Sequence, residues 1–231
     1  MEKLIKSFYP EAEDGKILTE RCMKQLLNEY GFDNEKTILG TSVCSDEIVR
    51  TATNFRDWLG IKNPFQLGGL GGFPFTGVTG FSAFASHIPD KGFAIIQYGP
   101  HIGFSKKEQI GLVTRPGQSL ESTCCGALRA LVNSFSGTKA DGRDRELDYQ
   151  QWKLEEELRS DSEIIKSHAE PLVAATNLMY NQINTRVKKL LQETSGNFEN
   201  CTVALVGGII INTDFELPDW FELREFSVHS F

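Results

Sequence analysis

Hydrophobic and polar positions along the chain follow helical and strand-like periods in alternation, and this pattern predicts an α/β protein. Residues 18–31 (LTERCMKQLLNEYG) have a helical period and end at a glycine, and residues 171–193 have the same period. Apolar runs with β-branched residues predict buried strands at residues 37–44, 93–99 and 201–215. Strands interleaved with helices favour a central, mostly parallel β-sheet flanked by helices on both faces.

The segments between these runs predict further elements. Residues 45–60 (SDEIVRTATNFRDWLG) predict a helix that is capped by Ser45 and closed by Gly60. Residues 63–80, rich in Gly and Phe, predict a long loop before a helix near residues 81–87. The remaining predictions are a hairpin partner for strand 93–99 at IGLVTR (110–115), a helix over 119–135, exposed helix over 141–170 and a half-exposed strand over 221–231.

One α/β domain over residues 1–231, with a helical N-terminal segment at residues 1–36, is the simplest organisation. The sequence contains no repeat, low-complexity tract or clear break in composition. Its 40% hydrophobic and 24% charged residues are typical of a globular protein with a full core.

Charge and cysteine content narrow the function classes. A net charge of −7 argues against nucleic acid as a partner, because phosphate binding needs a basic stripe. No apolar run reaches the roughly 18–20 residues of a membrane span. The five cysteines are an odd number and widely spread, so they predict reduced thiols, some of them candidate metal ligands, and not a disulfide framework.

Three positions carry candidate metal chemistry. Cys44 follows a predicted strand, His101 lies among small residues in YGPHIG, and Cys125 is expected at or near a helix N-terminus, where the dipole favours thiolate. Two thiolates and one imidazole are the ligands of a catalytic zinc site with an open fourth position. The spacing matches no short zinc motif, so buried structural cysteines are the alternative, and we expect that role for Cys22 and Cys201.

Four motifs occurring in order, CSDEIVR, GGFPFTGVTGF, YGPHIG and CCGA, resemble the limiting-CO2-inducible protein B family of algal CO2-concentrating systems. That family is similar to β-type carbonic anhydrases and related to the theta type. The resemblance implies Zn²⁺ held by Cys44, His101 and Cys125, with Asp46 and Arg50 as the catalytic dyad beside it. The arginine follows the aspartate by four residues instead of two, and the second cysteine lies far from the histidine instead of three residues on, which departs from the ordinary β-type pattern.

The implied activity is zinc-dependent interconversion of CO2 and bicarbonate. Arg50 would keep Asp46 ionised and fixed, and Asp46 would accept a hydrogen bond from the attacking hydroxide. Two thiolates cancel the formal charge of Zn²⁺, so we expect a weak Lewis acid and an activity that rises towards alkaline pH.

The substrate pocket is expected to have a dry wall, because CO2 is small and apolar. Phe73, Phe75 and Phe81 are candidates for that wall, and packing in the core or in a dimer is their alternative role. His87 is a candidate proton shuttle, with a structural histidine as the alternative.

The resemblance also implies a homodimer or a heteromer with a paralogue, located in the chloroplast, with a targeting segment that this sequence lacks. One alternative function is a non-catalytic zinc-containing scaffold or a CO2/bicarbonate-binding subunit of the same system. Another is a thiol hydrolase with Cys125 as nucleophile and His101 as base, which leaves Cys44, Asp46 and Arg50 without a role.

Overall fold

A mostly parallel sheet forms the centre of the fold. The structure, a computed structural model, describes residues 1–137 and 144–231, and the side chains of residues 50 and 51 lie outside this description. The strands are β1 (Glu13–Asp14), β2 (Thr37–Ser42), β3 (Phe65–Gln66), β4 (Phe93–Tyr98), β5 (His101–Phe104), β6 (Leu112–Val113), β7 (Ser122–Thr123), β8 (Thr202–Thr213) and β9 (Trp220–Ser230). The helices are α1 (Glu2–Phe8), α2 (Gly15–Tyr30), α3 (Phe55–Trp58), α4 (Gly77–Ala85), α5 (Gly126–Phe135), α6 (Tyr149–Glu157), α7 (Ser162–Ser167) and α8 (Pro171–Glu193).

The described strands form a seven-stranded sheet in the order β1-β9-β8-β4-β2-β3, with β5 also paired to β8. Strands β2, β3, β4, β5 and β8 pair in parallel, whereas β9 is antiparallel to β8 and to β1. Strands β6 and β7 form a separate antiparallel pair. Helices flank the sheet on both faces, as the sequence pattern predicts.

The apolar runs of β2, β4 and β8 follow from this architecture, because a strand covered on both faces needs side chains that tolerate burial on either side. On one face, the ring of Phe84 from α4 lies directly over Gly40 in β2. On the same face, α8 contributes Asn184, whose side-chain oxygen accepts a hydrogen bond of 2.7 Å from the hydroxyl of Tyr98. In the described part of the chain, every helix is too short or too polar to cross a bilayer.

A break between β4 and β5 positions the histidine of the site. Gly99 has a φ of 151°, and a Cβ atom there would lie 1.7 Å from the carbonyl oxygen of Gly208, so only glycine fits. The chain then resumes pairing with β8, where His101 is opposite Ile210. His101 therefore lies at the carboxyl end of the central strands, where ligands bind in open α/β sheets.

Three predictions are wrong: the regular helix over residues 45–60, the helix start at residue 119 and the hairpin between IGLVTR and strand 93–99. Residues 45–60 form a 3-10 helix, Glu47–Thr51, followed by the short α3, and the N-cap is Asp46 instead of Ser45. The Asp46 carboxylate accepts a hydrogen bond from the Ile48 amide, which favours the tighter turn over a regular α-helix. Helix α5 begins at residue 126 instead of 119, because residues 122–123 pair with residues 112–113. That pairing also replaces the predicted hairpin between IGLVTR and strand 93–99.

Other predictions are confirmed, including the helices near residues 18–31 and 171–193 and the strand at 201–215. The predicted helix near residues 81–87 begins earlier, at Gly77. The predicted helix over 141–170 is split into α6 and α7, and residues 138–143 lie outside the described residues.

Candidate metal centre

Three buried side chains from separate segments converge at the carboxyl edge of the sheet. Cys44 lies in the loop after β2, His101 begins β5, and Cys125 is the N-cap residue of α5. One ligand atom of each lies within 4.8 Å of the other two. The Cys44 and Cys125 sulfur atoms are 3.9 Å apart. The structure thus brings together the predicted ligand trio.

Asn212 in β8 fixes the orientation of the His101 ring. Its side-chain nitrogen donates to the backbone oxygen of Ile48 at 3.2 Å, so its side-chain oxygen faces His101 Nδ1 at 2.9 Å. Nδ1 must then carry the proton of that bond. The other ring nitrogen, Nε2, is buried without a hydrogen-bond partner among the described residues. An imidazole held through Nδ1–H with a free Nε2 is the usual arrangement of a metal-binding histidine.

The trio fits zinc by distance and by donor type. Zinc–sulfur bonds of about 2.3 Å in a tetrahedral site place two sulfur atoms about 3.8 Å apart, close to the 3.9 Å between Cys44 and Cys125. Nε2 of His101, to which no described residue makes a hydrogen bond, would supply the third donor. Thiolate and imidazole are preferred zinc ligands.

Without a metal, Cys44 and His101 hold protons. The hydrogen bond with Cys125 and burial both raise the pKa of the Cys44 thiol. Burial works against a charged His101, but the neighbouring thiol groups of Cys124 and Cys44 raise the pKa of its imidazole well above the usual value. A metal must therefore displace protons in order to bind.

Cys124 provides a second possible ligand set, together with Asp46 and His101, whose atoms also lie within 4.8 Å of one another. Its sulfur lies 3.4 Å from His101 Nδ1 and 3.6 Å from the Asn212 side-chain oxygen. Cys124 thus contacts the ring nitrogen that Asn212 already engages. The Cys44–His101–Cys125 set, to which His101 can offer Nε2, a nitrogen without a hydrogen-bond partner in the described part of the chain, is the better metal site.

Asp46 lies beside the trio and is held by Arg115, a residue that the sequence analysis missed. Arg115 Nη2 donates to Asp46 Oδ2 at 2.8 Å, and the same oxygen is 4.0 Å from His101 Nε2. Partial burial of Asp46 works against its ionisation, but His101 and the hydrogen bond from Arg115 outweigh burial and lower the pKa of its carboxyl. The Arg50 side chain lies outside the described residues, so the Asp46–Arg50 pair stays a prediction.

A cavity of about 440 Å³ reaches the site from the Cys44 side. Its lining residues are apolar, polar and basic: Leu39, Thr41, Val43, Cys44, Ser45, Val49, Thr53, Arg56, Lys62, Asn63, Pro64, Gln66, Gly68 and Gln97. The four predicted pocket residues are elsewhere. Phe73 and Phe81 are buried in the core, Phe75 packs between Phe73 and Tyr149, and exposed His87 contacts the ring of Phe65.

Asn212 and Arg115 were not predicted from the sequence, and the sequence pattern points to only the first of them. Asn212 is a polar residue within an apolar strand, and it is fully buried. A buried polar group needs a partner, so this position could have been recognised. Arg115 lies in an ordinary turn segment, TRPG, which gives no sign of a contact with Asp46.

Comparison with known proteins agrees with the geometry. A family profile described as limiting CO2-inducible proteins B/C, β-carbonic anhydrases, matches residues 18–230. The chain belongs to this family. No curated protein matches it.

Solved structures of family members have the same fold. PtLCIB4, described as a homolog of the limiting CO2-inducible protein LCIB, is 32% identical, with a TM-score of 0.87 over 100% of this chain and 96% of that chain. A single-substitution variant of PtLCIB4 gives a TM-score of 0.89 at 32% identity, over 99% of this chain and 93% of that one. LCIB itself is 20% identical, with a TM-score of 0.70 over 96% and 92% of the two chains, and supports the fold alone.

Proposed function

We propose that this family member is a zinc-dependent carbonic anhydrase that interconverts CO2 and bicarbonate. Nε2 of His101, which is buried and has no hydrogen-bond partner among the described residues, carries the proposal, because it lies with the Cys44 and Cys125 thiols in a set of zinc-like geometry. Membership of a family described as β-carbonic anhydrases supports the reaction.

A zinc ion held by Cys44, His101 and Cys125 would supply the Lewis acidity that makes hydroxide available near neutral pH. The protein's own residues supply orientation. Asp46, ionised and held by Arg115, would accept a hydrogen bond from the hydroxide and orient it towards CO2. Asn212 keeps Nε2 of His101 as the ligand atom.

The cavity beside Cys44 supports a route for both substrates. Leu39, Val43 and Val49 give it an apolar wall, which suits CO2 because CO2 offers little to hydrogen-bond. Arg56 and Lys62 also line it, and their positive charges favour bicarbonate in a protein whose net charge is −7. Phe73, Phe75, Phe81 and His87 do not line this cavity.

Family membership also supports a wider biological proposal. We place the protein in an algal-type CO2-concentrating system in the chloroplast, as a homodimer or a heteromer with a paralogue. Light scattering on the purified protein, alone and with a paralogue, tests the assembly.

Stopped-flow CO2 hydration between about pH 6.5 and pH 9, on protein with an assayed zinc content, tests the activity. We expect turnover that rises with pH, because two thiolates weaken the Lewis acid. Cys44→Ala should lose both zinc and turnover. Cys22→Ala is the matched control, because Cys22 is equally buried but lies in α2, outside the ligand set, and should keep both. About one zinc per chain without turnover at any pH would favour the non-catalytic scaffold instead.

A further inference from the structure

Gln97 is a buried polar residue near the end of an apolar strand. It lies in β4, whose sequence is FAIIQY, and the residue is only 4% exposed. A buried amide needs hydrogen-bond partners, because burial without them is unfavourable. One partner is Thr53, whose hydroxyl donates to Gln97 Oε1 at 3.1 Å. This contact engages the side-chain oxygen, so the side-chain nitrogen and its two N–H donors are left for another partner.

The surroundings of Gln97 indicate what that partner is. Gln97 lines the cavity that also reaches the metal ligand Cys44, and Thr41, its neighbour on β2, lines the same cavity. Arg56 and Lys62 supply two positive charges, and no acidic side chain is among the described residues that line the cavity. Gln97 therefore borders a space that favours anions and lies beside the candidate metal centre.

The two substrates of the proposed reaction differ in how they use such a donor. Bicarbonate carries a negative charge and accepts strong, charge-assisted hydrogen bonds, whereas CO2 is uncharged and offers little to hydrogen-bond. An amide nitrogen held at the wall of a positive cavity therefore distinguishes the anion from the gas. A carboxylate in the same position would repel bicarbonate, and an apolar side chain would offer it no hydrogen bond.

We propose that Gln97 is a bicarbonate-binding residue of this site and that Thr53 is the residue that positions it. The side-chain nitrogen of Gln97 donates to an oxygen atom of bicarbonate, while the Thr53 hydroxyl holds Oε1 and fixes the orientation of the amide. The inference rests on the proposed function, which supplies the choice of anion. It adds one buried contact to the attraction of Arg56 and Lys62, whose side chains are exposed.

The side-chain amide of Gln97 gives an NMR signal that reports this contact directly. Isotopically labelled, zinc-loaded protein is titrated with sodium bicarbonate at constant pH, and sodium chloride at the same ionic strength is the control. The signal that disappears in Gln97→Leu identifies the Gln97 amide. We expect bicarbonate to shift this signal saturably and chloride to leave it in place. A signal that stays in place with bicarbonate, or that moves equally with chloride, would overturn the inference.

Substitutions measure how much the contact contributes, with the dissociation constant for bicarbonate taken from backbone amide signals of the cavity wall. Gln97→Leu should raise that constant roughly 10- to 100-fold, as for a lost hydrogen bond to a charged group. Gln97→Glu keeps the shape but puts a negative charge in place of the donor, so it should bind at least as weakly. Thr53→Val keeps the amide and frees its orientation, so the loss should be smaller.

Gln151→Leu is the matched control for these variants. Gln151 is also a glutamine with 4% exposure, but it donates to the Ala127 backbone oxygen at 3.1 Å and does not line the cavity. It should leave the dissociation constant for bicarbonate unchanged. A wild-type constant in Gln97→Leu would contradict the inference.

Kinetics separate this inference from the proposed function. Gln97→Leu should raise the KM for bicarbonate in the dehydration direction by about the same factor as its dissociation constant, with little change in the KM for CO2. An equal rise in both KM values would argue for general damage to the cavity and against the inference. Turnover by wild-type protein whose Gln97 signal ignores bicarbonate would overturn the inference alone. A saturable shift without turnover would overturn the proposed function and leave the anion contact in place.

Discussion

Replacing Asn212 with leucine tests the idea that a single amide selects the metal-binding nitrogen of His101. The change removes the acceptor 2.9 Å from Nδ1 and the donor 3.2 Å from the Ile48 oxygen. It keeps a side chain of similar size in a fully buried position. The imidazole then loses the contact that fixes its ring and its proton.

The expected loss follows from the number of bonds removed. Each of the two hydrogen bonds contributes about 1 kcal/mol net, so the free energy of unfolding of metal-free protein should fall by about 2 kcal/mol. The Cys124 sulfur, 3.4 Å from Nδ1, is a weak acceptor and keeps the loss from being larger. Zinc affinity should fall about 10- to 100-fold, as for other outer-shell partners of ligating histidines.

Competition with a chromophoric chelator measures the zinc affinity, and urea unfolding measures the stability. Asn184→Leu is the matched control, because Asn184 accepts a hydrogen bond from Tyr98 on the same sheet, away from the site. It should lower stability without changing zinc affinity. Asn212→Asp keeps the acceptor oxygen and should bind zinc. An Asn212→Leu protein whose zinc affinity is within twofold of wild type would refute the reasoning.

Three other outcomes follow from the structure. Zinc affinity should rise with pH between about 6 and 9, because the protons on Cys44 and His101 must leave before zinc binds. A zinc affinity that does not change over this pH range, measured by chelator competition, would contradict this prediction. Burial raises the pKa of Glu222 although Arg224 opposes it, so ionisation of Glu222 above that pKa lowers the stability of the folded state. Glu222→Gln should therefore raise the free energy of unfolding, measured in urea, at about pH 7.5 but not near pH 4. Equal effects at both pH values would contradict this prediction. Gly99→Ala should lower the free energy of unfolding by more than about 3 kcal/mol, because the new Cβ atom would overlap the Gly208 carbonyl. Gly196→Ala is the control, because a Cβ atom at residue 196 has no other atom within 4 Å, and its thermal melt should stay near that of wild type.

The sequence by itself determined the order of elements and the candidate ligands. The apolar runs at β2, β4 and β8 are long enough to predict buried parallel strands, because local hydrophobic pattern reflects burial directly. Cys44 and His101 each follow one of those strands, and Cys125 precedes α5, but it was the family resemblance that grouped the three as zinc ligands. Local pattern was less reliable over residues 45–60, where Asp46 bonds the Ile48 amide and a 3-10 turn replaces the predicted helix.

Only the tertiary structure decided what surrounds those ligands. Arg115 and Asp46 are 69 residues apart in the chain, and His101 and Asn212 are 111 apart. Their hydrogen bonds depend on the register of β5 against β8 and on the β6–β7 pairing, which hydrophobic period does not encode. A side chain in a turn can contact residues that are distant in the chain, and the local sequence does not specify which ones. The contact between Arg115 and Asp46 therefore follows from the tertiary structure and not from the local sequence.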